Sequence, residues 1–396
     1  MKYYDIVVIG GGPAGASAAI TLAKYDFNVC LIDKEEFPRN KLCGAMLTKR
    51  SKKIFTSVFG TDWNSVMQGQ SDSVKFYDKH SLASYVENYT EFNLTYRVDF
   101  DNYLLNLAKE AGAETILGQK ISSIDYSLKR IVLSDKREIS YKYLIGCDGV
   151  YSFVARTLLN KKTDFRRLSF ALEIEVAKQD ANYYPDCPEI FFGIVPWGYA
   201  WIFPKDEMLT VGIGSVEVQG KELLTIFRAF MNERFGVIPE GSIGGHHIPA
   251  GDFLKEPGKD DVLLCGDAAG LVDPLTGEGL AYAMQSGYLA ARAIIVKSNS
   301  REDISTLEIY KRKLGVITRN IRLSNYLKLL VLPKAMERIF LKSLPRSRNI
   351  ARLYVDLLSD EIDYKKFFNL VLLKLLKNAP KLRKLLKETA TKTGGK

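Results

Sequence analysis

The run Gly10-Gly11-Gly12-Pro13-Ala14-Gly15 follows directly on four apolar residues, 6–9, near the start of this 396-residue chain. A buried strand that empties into glycines and then into a helix has few uses. The glycines let a tight turn bring its backbone close to a pyrophosphate, and the helix N-terminus adds free N–H groups and a positive dipole end. The pattern predicts a helix over 13–25 and a second strand over 28–32, ending at Asp33. That acid stands about twenty residues beyond the turn, where a carboxylate can accept a bond from a ribose hydroxyl. Gly10, Gly12, Pro13, Ala14, Gly15, Asp33 and the neighbouring Lys34 are therefore candidate dinucleotide-binding residues in an α/β fold.

Two distant pieces decide which dinucleotide. A strand-like run over 142–146 ends in Cys147-Asp148-Gly149, followed by Ser152 and Arg156. A short apolar strand over 261–265 ends in Gly266-Asp267-Ala268-Ala269-Gly270, followed by Pro274 and Gly277-Glu278-Gly279. Each puts an acid beside a glycine at the C-terminal end of a strand, where open α/β sheets bind ligands. The small residues at Gly277 and Gly279 let the N-terminus of a following helix face the electron-rich edge of a reduced flavin. A nicotinamide does not need that anion-stabilising end. The cofactor expected from the three pieces together is FAD, with Asp148, Gly149, Gly266, Asp267, Gly277, Glu278 and Gly279 among its ligands. The glycines over 241–245 lack a long apolar strand before them and a helix after them. No separate nicotinamide domain is expected, so the electron donor is NAD(P)H bound transiently or a redox protein such as ferredoxin.

In this order the motifs resemble those of FAD-dependent oxidoreductases with the p-hydroxybenzoate hydroxylase fold. The resemblance implies that Asp267 meets the ribityl or pyrophosphate region. It implies that Asp148 and Gly149 serve both FAD and NAD(P)H, and that Arg97, in Arg97-Val98-Asp99-Phe100-Asp101, lies near the FAD. Two local motifs narrow it further. Arg39-Asn40-Lys41-Leu42-Cys43-Gly44 and Tyr199-Ala200-Trp201-Ile202-Phe203-Pro204-Lys205 look like the Lys-x-Cys-Gly loop and Tyr-x-Trp-x-Phe-Pro strand of the geranylgeranyl reductase branch. That loop often has a second glycine where Ala45 stands here. Members of the branch reduce carbon–carbon double bonds in polyprenyl chains. The resemblance places Cys43 and Gly44 near the flavin and makes Cys43, Tyr199 and Trp201 the catalytic candidates. The alternative on the same fold is an FAD-dependent monooxygenase that hydroxylates an aromatic or apolar small molecule. All three FAD motifs serve it equally, and the 41–44 loop and 199–204 strand argue against it.

Between the flavin pieces lie two stretches with strand periodicity. Residues 74–96 read as two or three short strands, and 168–218 as a meander with runs over 170–176, 189–195, 199–203 and 209–215. Alternation puts Tyr199, Trp201 and Phe203 on one sheet face, a wall suited to an apolar chain. The expected architecture is a Rossmann-like FAD-binding domain (1–70, 96–165 and 256–300), an inserted and mostly antiparallel β-sheet substrate domain (71–95 and 166–255), and a C-terminal helical region (301–396).

That last region interleaves leucines with Lys365, Lys366, Lys374, Lys377, Lys381, Arg383, Lys384 and Lys387, and Pro380 is expected to separate two helices. A basic amphipathic stretch suits an anionic membrane surface. Nucleic acid is a poor competitor, since no recognisable nucleic-acid module accompanies the basic block. The formal net charge of +10 also favours an anionic partner. The chain shows no signal-peptide pattern and no apolar run long enough to span a bilayer, so a cytoplasmic protein, peripheral on the inner face of the membrane, is expected. Its five cysteines form no CxxC pair, and with three histidines no metal site is expected.

Overall fold

The computed structural model describes residues 1–160, 163–236, 241–300, 303–331 and 348–377. The chain forms two compact units. The first comprises Met1–Gln68, Thr95–Leu168 and His247–Ile321; the second comprises Gly69–Leu94, Ser169–His246 and Arg322–Lys396.

The first unit is built on a parallel sheet. Val262–Leu264, Glu138–Gly146, Lys2–Ile9, Val29–Ile32 and Glu114–Ile116 lie side by side in that order. Every neighbouring pair among them is parallel. Ile6, Val7, Val8 and Ile9 are buried, as are Val29, Cys30, Leu31 and Ile32. Strands covered on both faces need such unbroken apolar runs. The register aligns Ile9 with Gly146 and with Ile32, and Gly146 with Leu264. All the motif-bearing strands therefore end at one level.

Helix Pro13–Ala23 lies on this sheet, and helix Leu280–Asn299 packs closely against that helix. At Gly287 they approach so closely that an added Cβ would stand 2.0 Å from the Ala14 carbonyl oxygen. The helix Thr306–Val331 adds Ile309, Tyr310, Leu314, Ile317 and Ile321 to the same core, a stripe at helical spacing.

The second unit holds a seven-stranded sheet. Its order is Gly244–Ile248, Ser169–Ala177, Met208–Ser215, Gly198–Pro204, Glu189–Phe192, Val74–Asp78, Ser81–Val86. The four-run meander expected over 168–218 is thereby corrected. Ser169–Ala177 pairs with Met208–Ser215, and the simple meander covers the last three strands alone. The physical reason is that residues 178–188 give the chain enough length to cross over and fill the open edge. The pairs joining Ser169–Ala177 to Met208–Ser215, Met208–Ser215 to Gly198–Pro204, Gly198–Pro204 to Glu189–Phe192 and Val74–Asp78 to Ser81–Val86 are antiparallel, and Glu189–Phe192 runs parallel to Val74–Asp78.

Helix Gly220–Phe235 lies on one face of this sheet. Leu223, Phe227, Phe230 and Met231 pack there against Ile174, Phe191, Ala200, Ile202, Val211 and Ile213. Beneath it Glu189, fully buried, accepts bonds from Tyr77 (2.7 Å), Tyr183 (2.6 Å) and Arg234 (3.0 Å). Helix Arg348–Leu358 sets Tyr354 against Phe76, with ring centroids 5.8 Å apart. Helix Tyr364–Lys377 buries Tyr364 and Phe367 and leaves Leu372 and Leu373 exposed. Residues 378–396, with Pro380, Lys381, Arg383, Lys384 and Lys387, lie outside the described residues.

Candidate flavin-binding site

The glycines of the first turn divide into two kinds. Gly10 (φ 105°) and Gly15 are required by packing. A Cβ at Gly10 would stand 2.3 Å from the Cys147 carbonyl oxygen, and one at Gly15 would stand 1.8 Å from that of Gly10. Gly12 is different. It precedes Pro13 at the helix start, and a Cβ there would meet one atom within 4 Å, Arg39 Nη2 at 3.5 Å. Gly149 (φ 79°), in the middle motif, would meet nothing within 4 Å. Bare backbone at these two places leaves room for a bound group. Asp33 closes the turn from the next strand: its Oδ2 accepts the Gly11 N–H at 2.6 Å and its Oδ1 accepts the Glu35 N–H at 2.9 Å. Lys34 stands at the surface, 3.8 Å from Glu35.

Facing the turn is a charge cluster that the sequence motifs named only in part. Asp101, fully buried, holds Arg97 in a two-pronged pair (2.7 Å to each oxygen) and Arg39 at 3.2 Å. The i,i+4 spacing of Arg97 and Asp101 on helix Arg97–Glu110 makes the first contact. Burial opposes the charge on Arg97, but Asp101 more than restores it, so the guanidinium is held above its ordinary value. Arg39 rests on the Phe37 ring at 4.8 Å and reaches Gly12.

Lys41 pairs with Asp267 at 3.9 Å, tying the 39–44 loop to the third motif. Burial lowers the Lys41 pKa, and Asp267 opposes that shift. Cys43 lies half-buried in the same loop, within electrostatic reach of Arg97. Ala45 adopts φ 51°, the left-handed region that the glycine often found there in related loops enters freely.

The middle and third motifs use their acids differently. Asp148 accepts from Ser152 Oγ (2.5 Å) and from the N–H groups of Phe153 (2.7 Å) and Val154 (3.1 Å), so its side chain caps the helix that follows. Burial raises its pKa, against the pull of Ser152. Gly266 (φ 55°) packs its bare face against Ala14 and Ala283 and donates its N–H to Ser286 Oγ at 2.9 Å. Asp267 lies in the short helical turn Gly266–Ala269.

Gly277 (φ 71°) and Gly279, the residue before helix Leu280–Asn299, flank Glu278. The Glu278 side chain turns inward. It accepts from Thr48 Oγ1 (2.9 Å) and Arg50 Nη1 (2.7 Å) and forms a buried ion pair. Burial raises the Glu278 pKa, with Arg50 and Thr48 pulling it down.

The other candidates, Tyr199 and Trp201, belong to the second unit. They occupy the sheet face away from helix Gly220–Phe235, with ring centroids 5.9 Å apart, and Phe203 follows 6.2 Å from Trp201. The Trp201 indole lies flat over Gly212, where an added Cβ would come within 2.2 Å of the ring. Its Nε1–H finds no hydrogen-bond partner among the described residues.

Sequence reasoning passed over Arg39, Lys41, Asp101, Arg50 and Gly212 as site residues. Asp101 was detectable from its helical spacing to Arg97, and Gly212 from its strand alternation with Gly214. Arg50 left no local signal, because its partner is 228 residues away.

Bare glycine backbone, a helix N-terminus and three cations gathered at the ends of parallel strands define a dinucleotide-binding α/β protein, and they fit the diphosphate of FAD. A family model described as an FAD binding domain matches residues 3–321. An uncharacterized protein of Methanosarcina barkeri is 33% identical over 360 residues, covering 90% of this chain and 88% of that one. A digeranylgeranylglycerophospholipid reductase of Methanosphaera stadtmanae is 28% identical over 327 residues, covering 76% and 82%. The solved structure of a geranylgeranyl bacteriochlorophyll reductase-like protein from Thermoplasma acidophilum superposes with a TM-score of 0.74 at 22% identity, over 98% of this chain and 99% of that one. The chain belongs to this FAD binding domain family and is an FAD-dependent oxidoreductase, with geranylgeranyl-type reductases among its relatives.

Proposed function

We propose that this protein hydrogenates carbon–carbon double bonds of a polyprenyl, geranylgeranyl-type lipid. The observation that carries the reading is the aromatic row Tyr199, Trp201 and Phe203 on one sheet face, with Gly212 clearing space for the indole. It stands in a chain related to a reductase of digeranylgeranyl lipids. FAD, when bound, supplies a two-electron centre that can give up hydride. An isolated alkene has no carbonyl for the protein to polarise, so the chain's own contribution is to hold the double bond in place and exclude water.

Cys43, Tyr199 and Trp201 are the residues proposed to meet the substrate, with the Tyr199 hydroxyl or a bound water as the proton source. The ion pair Lys41–Asp267 and the Asp101 cluster hold the Cys43 loop to the flavin motifs. The electron donor is NAD(P)H or a small redox protein. Leu372 and Leu373, exposed on the helix that also carries the exposed Lys365 and Lys366, support peripheral attachment to an anionic membrane. No helix among the described residues is long and apolar enough to cross one.

The test is anaerobic incubation of dithionite-reduced protein with a panel of polyprenyl lipids, followed by mass spectrometry. A gain of two mass units per double bond without oxygen supports the reading. A hydroxylated product that requires oxygen would move the protein to the monooxygenase reading. For the membrane, cosedimentation with phosphatidylglycerol vesicles should drop when Leu372 and Leu373 are both changed to Asp. Unchanged cosedimentation removes that part of the proposal.

A further inference from the structure

We propose that the Arg50–Glu278 ion pair sets the charge balance at the third glycine motif and thereby tunes the reduction potential of bound FAD. This rests on FAD binding and not on the identity of the substrate.

Two carboxylates belong to one short loop before helix Leu280–Asn299. Asp273, fully buried, accepts the N–H groups of Leu275 and Thr276 at 2.9 Å each. Its own N–H donates to the Glu278 carbonyl at 3.0 Å, and its carbonyl accepts the Gly277 N–H at 3.0 Å. The loop is thus wound around one acid and carries the other. The 20-residue helix beyond it offers the positive end of its dipole.

A flavin gains negative charge on reduction, so a helix N-terminus favours the reduced form. Two carboxylates on the same loop oppose it. Arg50 is the cation that meets Glu278, with Nη1 2.7 Å from Oε2 and both side chains buried. Its guanidinium also lies 5.8 Å from the Tyr282 ring centroid. The other carboxylate oxygen, Oε1, accepts from Thr48 and Ser51. An acceptor set of arginine and hydroxyl donors suits an ionised carboxylate. Buried charges are poorly screened, so a unit change here acts over several ångströms. A loop held for shape alone would not need a charged pair. Thr48, Ser51 and the backbone bonds of Asp273 already fasten it.

The experiment compares Arg50→Met, Glu278→Gln and the double variant as FAD-loaded full-length proteins. The readouts are the two-electron midpoint potential against reference dyes and the FAD dissociation constant. Arg50→Met is expected to weaken binding of reduced flavin relative to oxidised flavin about tenfold, a fall of about 30 mV for a two-electron couple. Glu278→Gln is expected to shift the potential upward by a similar amount, and the double variant to return near the wild-type value. Arg50→Lys keeps the charge and should keep the potential. Should Arg50→Met fail to retain FAD, Glu278→Gln and Arg50→Lys still decide the matter. A Glu278→Gln potential equal to wild type, or shifted downward, overturns the proposal. So does a fall in Arg50→Lys as large as that expected for Arg50→Met.

Discussion

The two units of this molecule shape their functional surfaces from different parts of the chain. In the first, the site is mostly backbone: bare glycines at Gly12 and Gly149, strand ends aligned by register, and a helix start at Pro13. In the second, the candidate surface is made of side chains, an aromatic row whose face is chosen by strand pairing. Backbone sites constrain residue type tightly, because few residues leave the backbone bare or take a left-handed turn. Side-chain faces constrain pattern, and the same pattern would serve an ordinary core.

The sharpest test of that contrast separates the two kinds of glycine. Gly10→Ala adds a Cβ against Cys147 at a φ that alanine rarely adopts. It should cost about 4–6 kcal/mol from strain and overpacking together, read as a collapsed urea midpoint or no soluble yellow protein. Gly12→Ala has room for its methyl. It should leave the urea midpoint nearly unchanged yet weaken FAD binding at least tenfold by intruding on the bare backbone. Equal effects of the two substitutions on stability would break the distinction.

A smaller effect is expected from the buried carboxylate in each unit. Asp101→Ala strands Arg97 and Arg39, and Glu189→Ala strands Arg234; each should cost about 3–5 kcal/mol in denaturant titrations. The two should differ in a second readout. The Asp101 variant frees Arg39 beside Gly12 and should lose FAD affinity, while the Glu189 variant that still folds should keep it. An FAD dissociation constant altered equally by both would show that the hubs are not local to their units.

Gly212→Ala should destabilise by about 1–3 kcal/mol, because its methyl collides with the Trp201 ring. The indole must tilt off the strand, so a shift in tryptophan emission should accompany the loss. An unchanged spectrum would mean that Trp201 does not depend on that bare position. The smallest effect is a gain. Ala45→Gly relieves a left-handed alanine and should stabilise by about 0.5–1 kcal/mol, the relief outweighing the added freedom of the unfolded chain. A lower melting temperature would contradict the strain at Ala45.

Much of the first unit was legible because its chemistry is local. The glycine turn, Asp33 and the acids after the later strands each announce themselves within a few residues. What remained hidden were the partners. Asp148 looks like a ligand in sequence, yet its side chain caps a helix. Glu278 looks like part of a cofactor loop, yet its carboxylate turns to Arg50. A motif fixes where the backbone goes, but a side chain's direction depends on which distant atoms can satisfy it. In the second unit the strands were legible from alternation, while their order was not. Alternation is identical whichever neighbour a strand takes, and the edge exchange of Ser169–Ala177 is settled by crossover length and packing.

By itself, the sequence determined a flavin-type nucleotide fold, with its turns, its cofactor and a row of aromatics on one side of a sheet. Those features arise from steric demands within a few residues or from strand periodicity. The tertiary structure alone decided that Asp101 joins Arg97 to Arg39, that Arg50 reaches Glu278, and that Gly212 lies under Trp201. Such pairings unite residues far apart along the chain, and they come into being when folding removes the water that would otherwise satisfy each group separately.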